Sequence, residues 1–438
     1  MAERMKDSGN RWIGEIPESW NTKKIKYLAN LKGRIGWQGL TSDEYQDEGA
    51  FLITGTDFDN GKINWDTCVH VPMKRWEEAK EIQIQNGDLL ITKDGTVGKV
   101  AIVSDIQGET SLNSGVLRIM TNEGYNRRFL FWVLQSDVFW NWFNYKNAGN
   151  STIVHLYQGD FAEFMYAFPA EKEQRAIADF LDKRCAQIDD VIADLEKQIN
   201  LLEKYKVSLV NETVHYGINK NRMMKETKID WIGKIPCSWE INKLGYLGTL
   251  QNGISKGAEY FGSGFPFVSY GNVYNNMALP DNIDGLVEST LGERIQYSVK
   301  QDDIFFTRTS ETVEEIGFSS VCESTIENAT FAGFLIRFRP DNDVLTTGYA
   351  KYYFRANMLR AYFVKEMMIV TRASLGQYLL KEVPVLLPPI KEQQQISSYL
   401  DYRCQEIEDI IKSKQNQRLK MLETRKSLIY EYVTGKNE

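Results

Sequence analysis

Histidine and cysteine are scarce here, three and five among 438 residues. They fall at no regular close spacing, which excludes a disulfide framework and a zinc-finger pattern. Cys68 and His70 make one metal-capable pair with no second pair to complete a site, so no metal is expected. Long apolar runs are lacking too: none approaches membrane-spanning length, and the first twenty residues are polar, unlike a secretory leader. The expected compartment is the cytoplasm. Positive charge is in deficit, with a formal net charge of −7. That lowers the expectation of nucleic-acid binding without excluding it, because phosphate contact needs only a local basic face. Signatures of cofactor and nucleotide chemistry are missing as well. Pro388-Pro389 is preceded by Leu387 and followed by Ile390, so it forms no Asn/Asp-Pro-Pro-aromatic motif. Gly95-Thr96-Val97-Gly98-Lys99-Val100 lacks the glycine spacing and the trailing Ser or Thr of a phosphate-binding loop. Glu77-Glu78 and Glu314-Glu315 are sequence neighbours, a spacing of solvated rather than catalytic carboxylates.

What is present is a duplication. Trp12-Ile13-Gly14-Glu15-Ile16-Pro17-Glu18-Ser19-Trp20 returns 219 residues later as Trp231-Ile232-Gly233-Lys234-Ile235-Pro236-Cys237-Ser238-Trp239. The same shift carries Lys172-Glu173-Gln174, Leu181-Asp182, Arg184-Cys185 and Ile188 onto Lys391-Glu392-Gln393, Leu400-Asp401, Arg403-Cys404 and Ile407. The shift is half the chain length, so the chain is one unit written twice, and an approximate two-fold axis can relate the copies. A period this long means each copy contains a domain of its own.

The order of parts is the same in each copy: residues 1–20 a turn-rich Trp-Ile-Gly-x-Ile-Pro strip, 21–168 a variable stretch, 169–239 a long helix and the second strip, 240–388 the second variable stretch, and 389–438 the closing helix. The variable stretches share a skeleton of short β-rich runs between Gly, Asn and Asp turns, which predicts mixed α/β domains. Phe51-Leu52-Ile53 is placed like Phe267-Val268-Ser269. Gly87-Asp88 before Leu89-Leu90-Ile91-Thr92-Lys93 is placed like Asp302-Asp303 before Ile304-Phe305-Phe306-Thr307-Arg308. Arg118 and Arg337 hold the constant shift. Asn126 to Trp142 and Gly348 to Glu366 read as one helix each, their aromatics at core spacing.

Leu181, Ile188, Leu195, Leu202 and Leu209 recur every seven residues, with Cys185, Ile192 and Ile199 four residues after the first three. That is a coiled-coil stripe, on a helix of roughly 60 Å from about Glu173 to Val214. The second copy keeps Leu400, Ile407, Met421 and Leu428, but Lys414 interrupts its stripe. Cys185 and Cys404 should be reduced core residues. Two such helices packed on each other inside one molecule would hold two globular domains at fixed separation.

These duplicated motifs, in this order over essentially the whole chain, resemble the specificity (S, or HsdS) subunits of type I restriction-modification enzymes. The resemblance rests on the strips, on Pro169 through Asp182 with its echo Leu387 through Ile396, and on the helix ends from Ser208 to Val214 and Ser427 to Lys436. It implies an α+β (mixed α/β) fold: two target recognition domains, each reading half of a bipartite double-stranded DNA sequence, separated by an antiparallel coiled coil. It implies no catalysis and no cofactor in this chain. Two methyltransferase subunits would bring S-adenosylmethionine and methylate adenine, and two motor-nuclease restriction subunits would hydrolyse ATP and cut.

Candidate DNA-facing residues are loop positions rich in Lys, Arg, Ser, Thr, Asn and Gln, placed like the parts of those domains that approach the grooves. In the first copy they are Lys93, Thr96 and Lys99, then Asn147, Asn150, Ser151, Thr152 and His155. In the second they are Arg308, Thr309 and Ser310, then Thr371, Arg372, Ser374 and Gln377. Arg reads guanine best and Asn or Gln adenine, while a Gly-flanked loop lets main-chain amides meet phosphate. The second copy carries Glu311, Glu314 and Glu315 where the first has Gly95, Gly98 and Lys99, which suggests different half-sites. Two other classes compete: a protein-interaction scaffold with duplicated peptide-binding domains, and an autonomous DNA-modifying enzyme, disfavoured by the missing motifs.

Overall fold

Leu89–Thr92 is apolar on both faces and buried at all four positions, the pattern of a strand inside a sheet. It lies between Val100–Ile102 and Val116–Thr121, and Ala29–Gly33 completes a four-stranded antiparallel sheet. The second copy repeats this order. Ile304–Thr307, buried throughout, lies between Ser319–Val321 and Leu335–Pro340, with Gly248–Asn252 at the far edge. Register follows the shift: Val116 faces Thr92, and Leu335 faces Thr307. A three-stranded sheet in each copy contains a parallel pair, Ala50–Ile53 with Thr110–Leu112 and Phe261–Val268 with Thr330–Phe331. Ser269, expected to continue its strand, instead caps the helix Tyr270–Asn275.

This computed structural model describes residues 4–34, 40, 42–148, 154–310, 315–341, 344–366 and 373–437. The chain divides into two compact units, Met1–Glu196 with Gln415–Glu438, and Lys197–Lys414. No helix among the described residues is long and apolar enough to cross a membrane.

The acidic turns before the central strands have a structural use. Asp88 and Asp303 each accept the backbone N–H three residues back, from Gln85 at 2.8 Å and Lys300 at 2.7 Å. Arg118 answers the first charge at 2.9 Å, and Arg339 answers the second at 2.6 Å. Arg337, the partner of Arg118 by the constant shift, donates instead to the Ser298 carbonyl at 2.6 Å. Alternate residues of a strand share a face, so the neighbour two places on can take over the role.

Each aromatic stretch expected as one helix is two. Arg127–Gln135 and Asp137–Lys146 meet at buried Ser136, whose hydroxyl donates to Val133 O at 2.7 Å and accepts from Val138 N–H at 3.2 Å. Serine there caps a new helix rather than extending the old one. Thr347–Tyr353 and Asn357–Glu366 part around Arg355, which donates to the carbonyls of Ser319, Val273 and Asn276. The aromatics Phe129, Trp142, Tyr349 and Phe363 are buried.

Glu171–Tyr216 and Ile390–Thr434 are unbroken helices of 46 and 45 residues. Leu181, Leu195, Leu400 and Ile407 are buried, while Ile188, Leu202, Leu209, Met421 and Leu428 are half-buried; none of these faces open solvent. In the first unit Asp189 accepts from Arg425 at 2.8 Å and Glu196 from Arg418 at 2.7 Å. A step of seven up one helix is a step of seven down the other, which is antiparallel pairing. In the second unit Lys206 donates to Glu408 at 2.7 Å and Lys414 to Gln198. Lys414 therefore leaves the helix intact: its stem stays in the seam while its ammonium reaches a flanking side chain.

The duplicated motifs join the helices to the domains. Glu173 accepts the Trp20 indole N–H at 3.2 Å, and Glu392 accepts that of Trp239 at 3.0 Å. Buried Gln174 accepts from Asn126 N–H at 2.8 Å and donates to Pro169 O at 2.9 Å; buried Gln393 does the same with Thr346 and Pro388, both at 2.9 Å. Asp182 accepts the Trp132 indole N–H, and Asp401 the Tyr352 hydroxyl, each at 2.7 Å. The first strip packs its isoleucines and Trp20 against Ile429 and Val433, and the second packs against Val214. Cys185 and Cys404 are buried free thiols, and burial raises both, Cys185 to about 11.

Candidate nucleic-acid interface

Thr92 ends the central strand of the first sheet, and residues 93–99 turn back to Val100. The turn is closed by three bonds: Thr92 N–H to Lys99 O at 2.9 Å, Gly98 N–H to Thr92 O at 2.9 Å, and Lys99 N–H to the Thr92 hydroxyl at 2.9 Å. Gly98 has φ +83°, and a Cβ there would lie 2.5 Å from the Trp140 ring, so the backbone fold and the close packing both require glycine.

A second segment comes to this turn. Leu156 N–H donates to Lys93 O at 3.0 Å, and Lys93 N–H donates to Gly115 O at 2.8 Å. His155 Nδ1 lies 2.5 Å from Asp94 Oδ1. The structure thus brings Lys93, Thr96, Lys99 and His155 together. Their side chains differ in freedom. Thr96 donates its hydroxyl to Gly55 O at 3.0 Å, and the Lys99 ammonium reaches Phe58 O at 3.4 Å. Lys93 forms no ion pair among the described residues. Asn147 does not join the group; its amide donates to Phe143 O at 2.9 Å and finishes a helix. Asn150, Ser151 and Thr152 lie outside the described residues.

The second unit builds the same frame. Arg308 N–H donates to Phe334 O at 2.9 Å, and Leu375 N–H donates to Arg308 O at 2.7 Å. Thr309 and Ser310 pair with Ser374 and Ala373 as a short antiparallel ladder. Gln377 donates to Asn252 Oδ1 at 2.9 Å. Arg308, Thr309, Ser310, Ser374 and Gln377 therefore share one edge of the domain, while Thr371 and Arg372 lie outside the described residues.

The match expected for the glutamates needs correction. Gly317, with φ +66° and its N–H on Thr307 O at 3.1 Å, takes the place of Gly98. Phe318 takes the place of Lys99, its carbonyl accepting Thr307 N–H at 2.8 Å. Eleven residues separate Thr307 from Ser319, against seven between Thr92 and Val100, so an insertion falls between strands whose own register is fixed. Glu311 and Glu314 lie outside the described residues, and Glu315 bonds the Tyr274 phenol, raising that hydroxyl above its usual range.

Sequence reading missed several residues at these edges. Gln158, which donates to Leu31 O at 3.1 Å, is the counterpart of Gln377 and could have been found from the shift alone. Exposed Tyr157, Phe334 and Tyr378 carry no polar signal and were not detectable that way. Among the described residues no cluster of His, Cys, Asp and Glu could hold a metal ion. Cys68 is buried, and burial followed by Asp57 pushes its thiol up to about 12.

The family model for the type I restriction modification DNA specificity domain matches this chain twice, over residues 17–203 and 236–424. The putative type I restriction enzyme MjaX specificity subunit of Methanocaldococcus jannaschii is 24% identical, over 97% of this chain and 95% of its own length. The EcoKI specificity subunit of Escherichia coli K12 is 24% identical over 87% of this chain and 82% of its own. Among solved structures, a chain described under complex assembly and conformational transition of the type I R-M system superimposes with a TM-score of 0.73 at 16% identity, covering 96% of this chain and 99% of that one. The HsdS subunit from Thermoanaerobacter tengcongensis gives a TM-score of 0.55 at 16% identity, covering 96% and 98%.

Proposed function

We propose that this chain, which belongs to the type I restriction-modification DNA specificity family, reads a bipartite duplex target through its two copies and sets methyltransferase and restriction subunits upon it. It is a non-catalytic component. One observation supports the reading most: each unit joins a strand-end cation to the segment before Leu156 or Leu375 by the same backbone bonds, yet presents different side chains there. Equal frames with unequal side chains suit two half-sites of different sequence. Arg308 offers a bidentate donor for a guanine edge, and Gln377 an amide for adenine. Lys93 and Lys99 suit phosphates, which fix register without specifying bases.

The adenines to be modified are buried in a duplex, so the methyltransferase subunits must flip them from the stack. Those subunits carry the S-adenosylmethionine, and the motor-nuclease subunits the ATP. The assembly, two of each, works in the cytoplasm. A selection from randomised duplexes, using this chain assembled with its methyltransferase subunits, tests the reading. Two specified blocks separated by unread base pairs are expected. A single block rejects the bipartite claim, and no enrichment at all favours a peptide-binding scaffold instead.

A further inference from the structure

Phe334 is 63% exposed, at the turn between Thr330–Phe331 and Leu335–Pro340. A single exposed aromatic is ordinary on a protein surface. This one is held out by a rigid frame. Gly333 N–H donates to Ile254 O at 2.7 Å, Leu335 N–H to Ala332 O at 2.9 Å, and Ala332 N–H to Val268 O at 3.0 Å. The Phe334 carbonyl itself accepts from Arg308 N–H at 2.9 Å. A Cβ on Gly333 would lie 2.4 Å from Ser255 Oγ, so the turn has little freedom to fold the ring away.

The first copy places Asn113-Ser114-Gly115 at the same point, with Asn113 Oδ1 accepting from Gly115 N–H at 3.1 Å and from the Ser114 hydroxyl at 2.9 Å. That turn is polar and offers no apolar surface. In the second copy Tyr378, 76% exposed, follows Leu375 by three residues and adds apolar surface near the same backbone frame. Between them Arg308 forms no ion pair among the described residues.

A cation beside a fixed, exposed ring offers two kinds of contact in a major groove: hydrogen bonds to a guanine edge and an apolar face for a thymine 5-methyl group. We propose that Phe334 is a specificity-determining residue that reads a thymine in the second half-site by covering its methyl group, next to the base met by Arg308. This rests on the DNA-reading function proposed above. It also assigns the two domains different means of reading, apolar in the second and wholly polar in the first.

Replacing thymine by deoxyuridine removes only the methyl group. The complex of this chain with its methyltransferase subunits is titrated with its selected duplex, substituted one thymine at a time. The wild-type complex is expected to bind about three- to fivefold more weakly at one position of the second half-site, the value of one methyl group taken from water. Phe334→Ala, and Phe334→Gly as in the first copy, should bind the thymine and uracil duplexes alike and leave first-half discrimination unchanged. A second half-site without thymine, a wild-type complex indifferent to every substitution there, or a Phe334→Ala complex that keeps the difference overturns the assignment. Absence of specific binding to any duplex by the wild-type complex overturns the DNA-reading function itself, a separate outcome.

Discussion

Gln393 is fully buried and spends its whole side chain on backbone groups, so its removal is the sharpest test of what the Lys-Glu-Gln motif does. Its oxygen accepts from Thr346 N–H, and its nitrogen donates to the carbonyls of Pro388 and Val344, each at 2.9 Å. Alanine breaks all three bonds. Taking about 1 kcal/mol for each of the two part-buried bonds and about 2 kcal/mol for the orphaned Pro388 carbonyl gives a loss of about 4 kcal/mol. For a unit the size of Lys197–Lys414, that corresponds to a Tm lower by about 10 °C. Differential scanning calorimetry should show the transition of the second unit falling by that amount while the first unit holds. Gln174→Ala should reverse the pattern, because Gln174 does the same work in the first unit. A fall below about 3 °C, with loss of methyltransferase assembly instead, would refute the argument and make the motif a contact surface.

Other perturbations follow from the same geometry. Lys414→Leu should fill the helix seam and stabilise the second unit by about 1 kcal/mol in a urea titration, and a destabilised variant contradicts the seam placement. Burial holds His215 below its ordinary 6.5, outweighing the carbonyls of Lys234 and Ile232 that favour its charged form. The fold thus prefers neutral imidazole: its contribution is complete above 6.5 and is lost as pH falls through the lower folded value. Calorimetry between pH 7.5 and 5.5 should show that acid-side loss, smaller in His215→Gln, and an equal loss in the variant counts against it. Arg308→Ala should relax selection at one position of the second half-site, on the order of tenfold, and a loss spread evenly over all sequences would make it a phosphate contact. Lys93→Gln should weaken all duplexes alike and lower the salt slope by about one, whereas a sequence-dependent effect opposes that role.

Duplication made much of the molecule legible in advance. Two copies of one sequence act as each other's comparison, so the strand ending at Thr92 could be matched to that ending at Thr307, and the heptads beginning at Leu181 announced a long paired helix. Local pattern ran out where a residue's role depends on a distant partner. The first strip seals the end of the last helix, with the Ile13 carbonyl accepting from Lys436 at 2.9 Å, and nothing near Ile13 signals a partner 423 residues away. Ser136 looked like one more helical residue until its hydroxyl was seen closing one helix and opening the next. The Gly98 and Gly317 equivalence was hidden by a loop insertion, because a constant offset cannot follow unequal loops. At the recognition edges polar composition pointed to the loops but not to Phe334, since an exposed phenylalanine looks like any core phenylalanine in a sequence.

Mapping methyladenine across the genome of cells with and without this chain bears most directly on the claim that its two copies dictate where modification occurs. The account predicts a motif of two unlike blocks around unread bases, present only when the chain is. Methylation that persists unchanged without it, or one uninterrupted motif, contradicts the account.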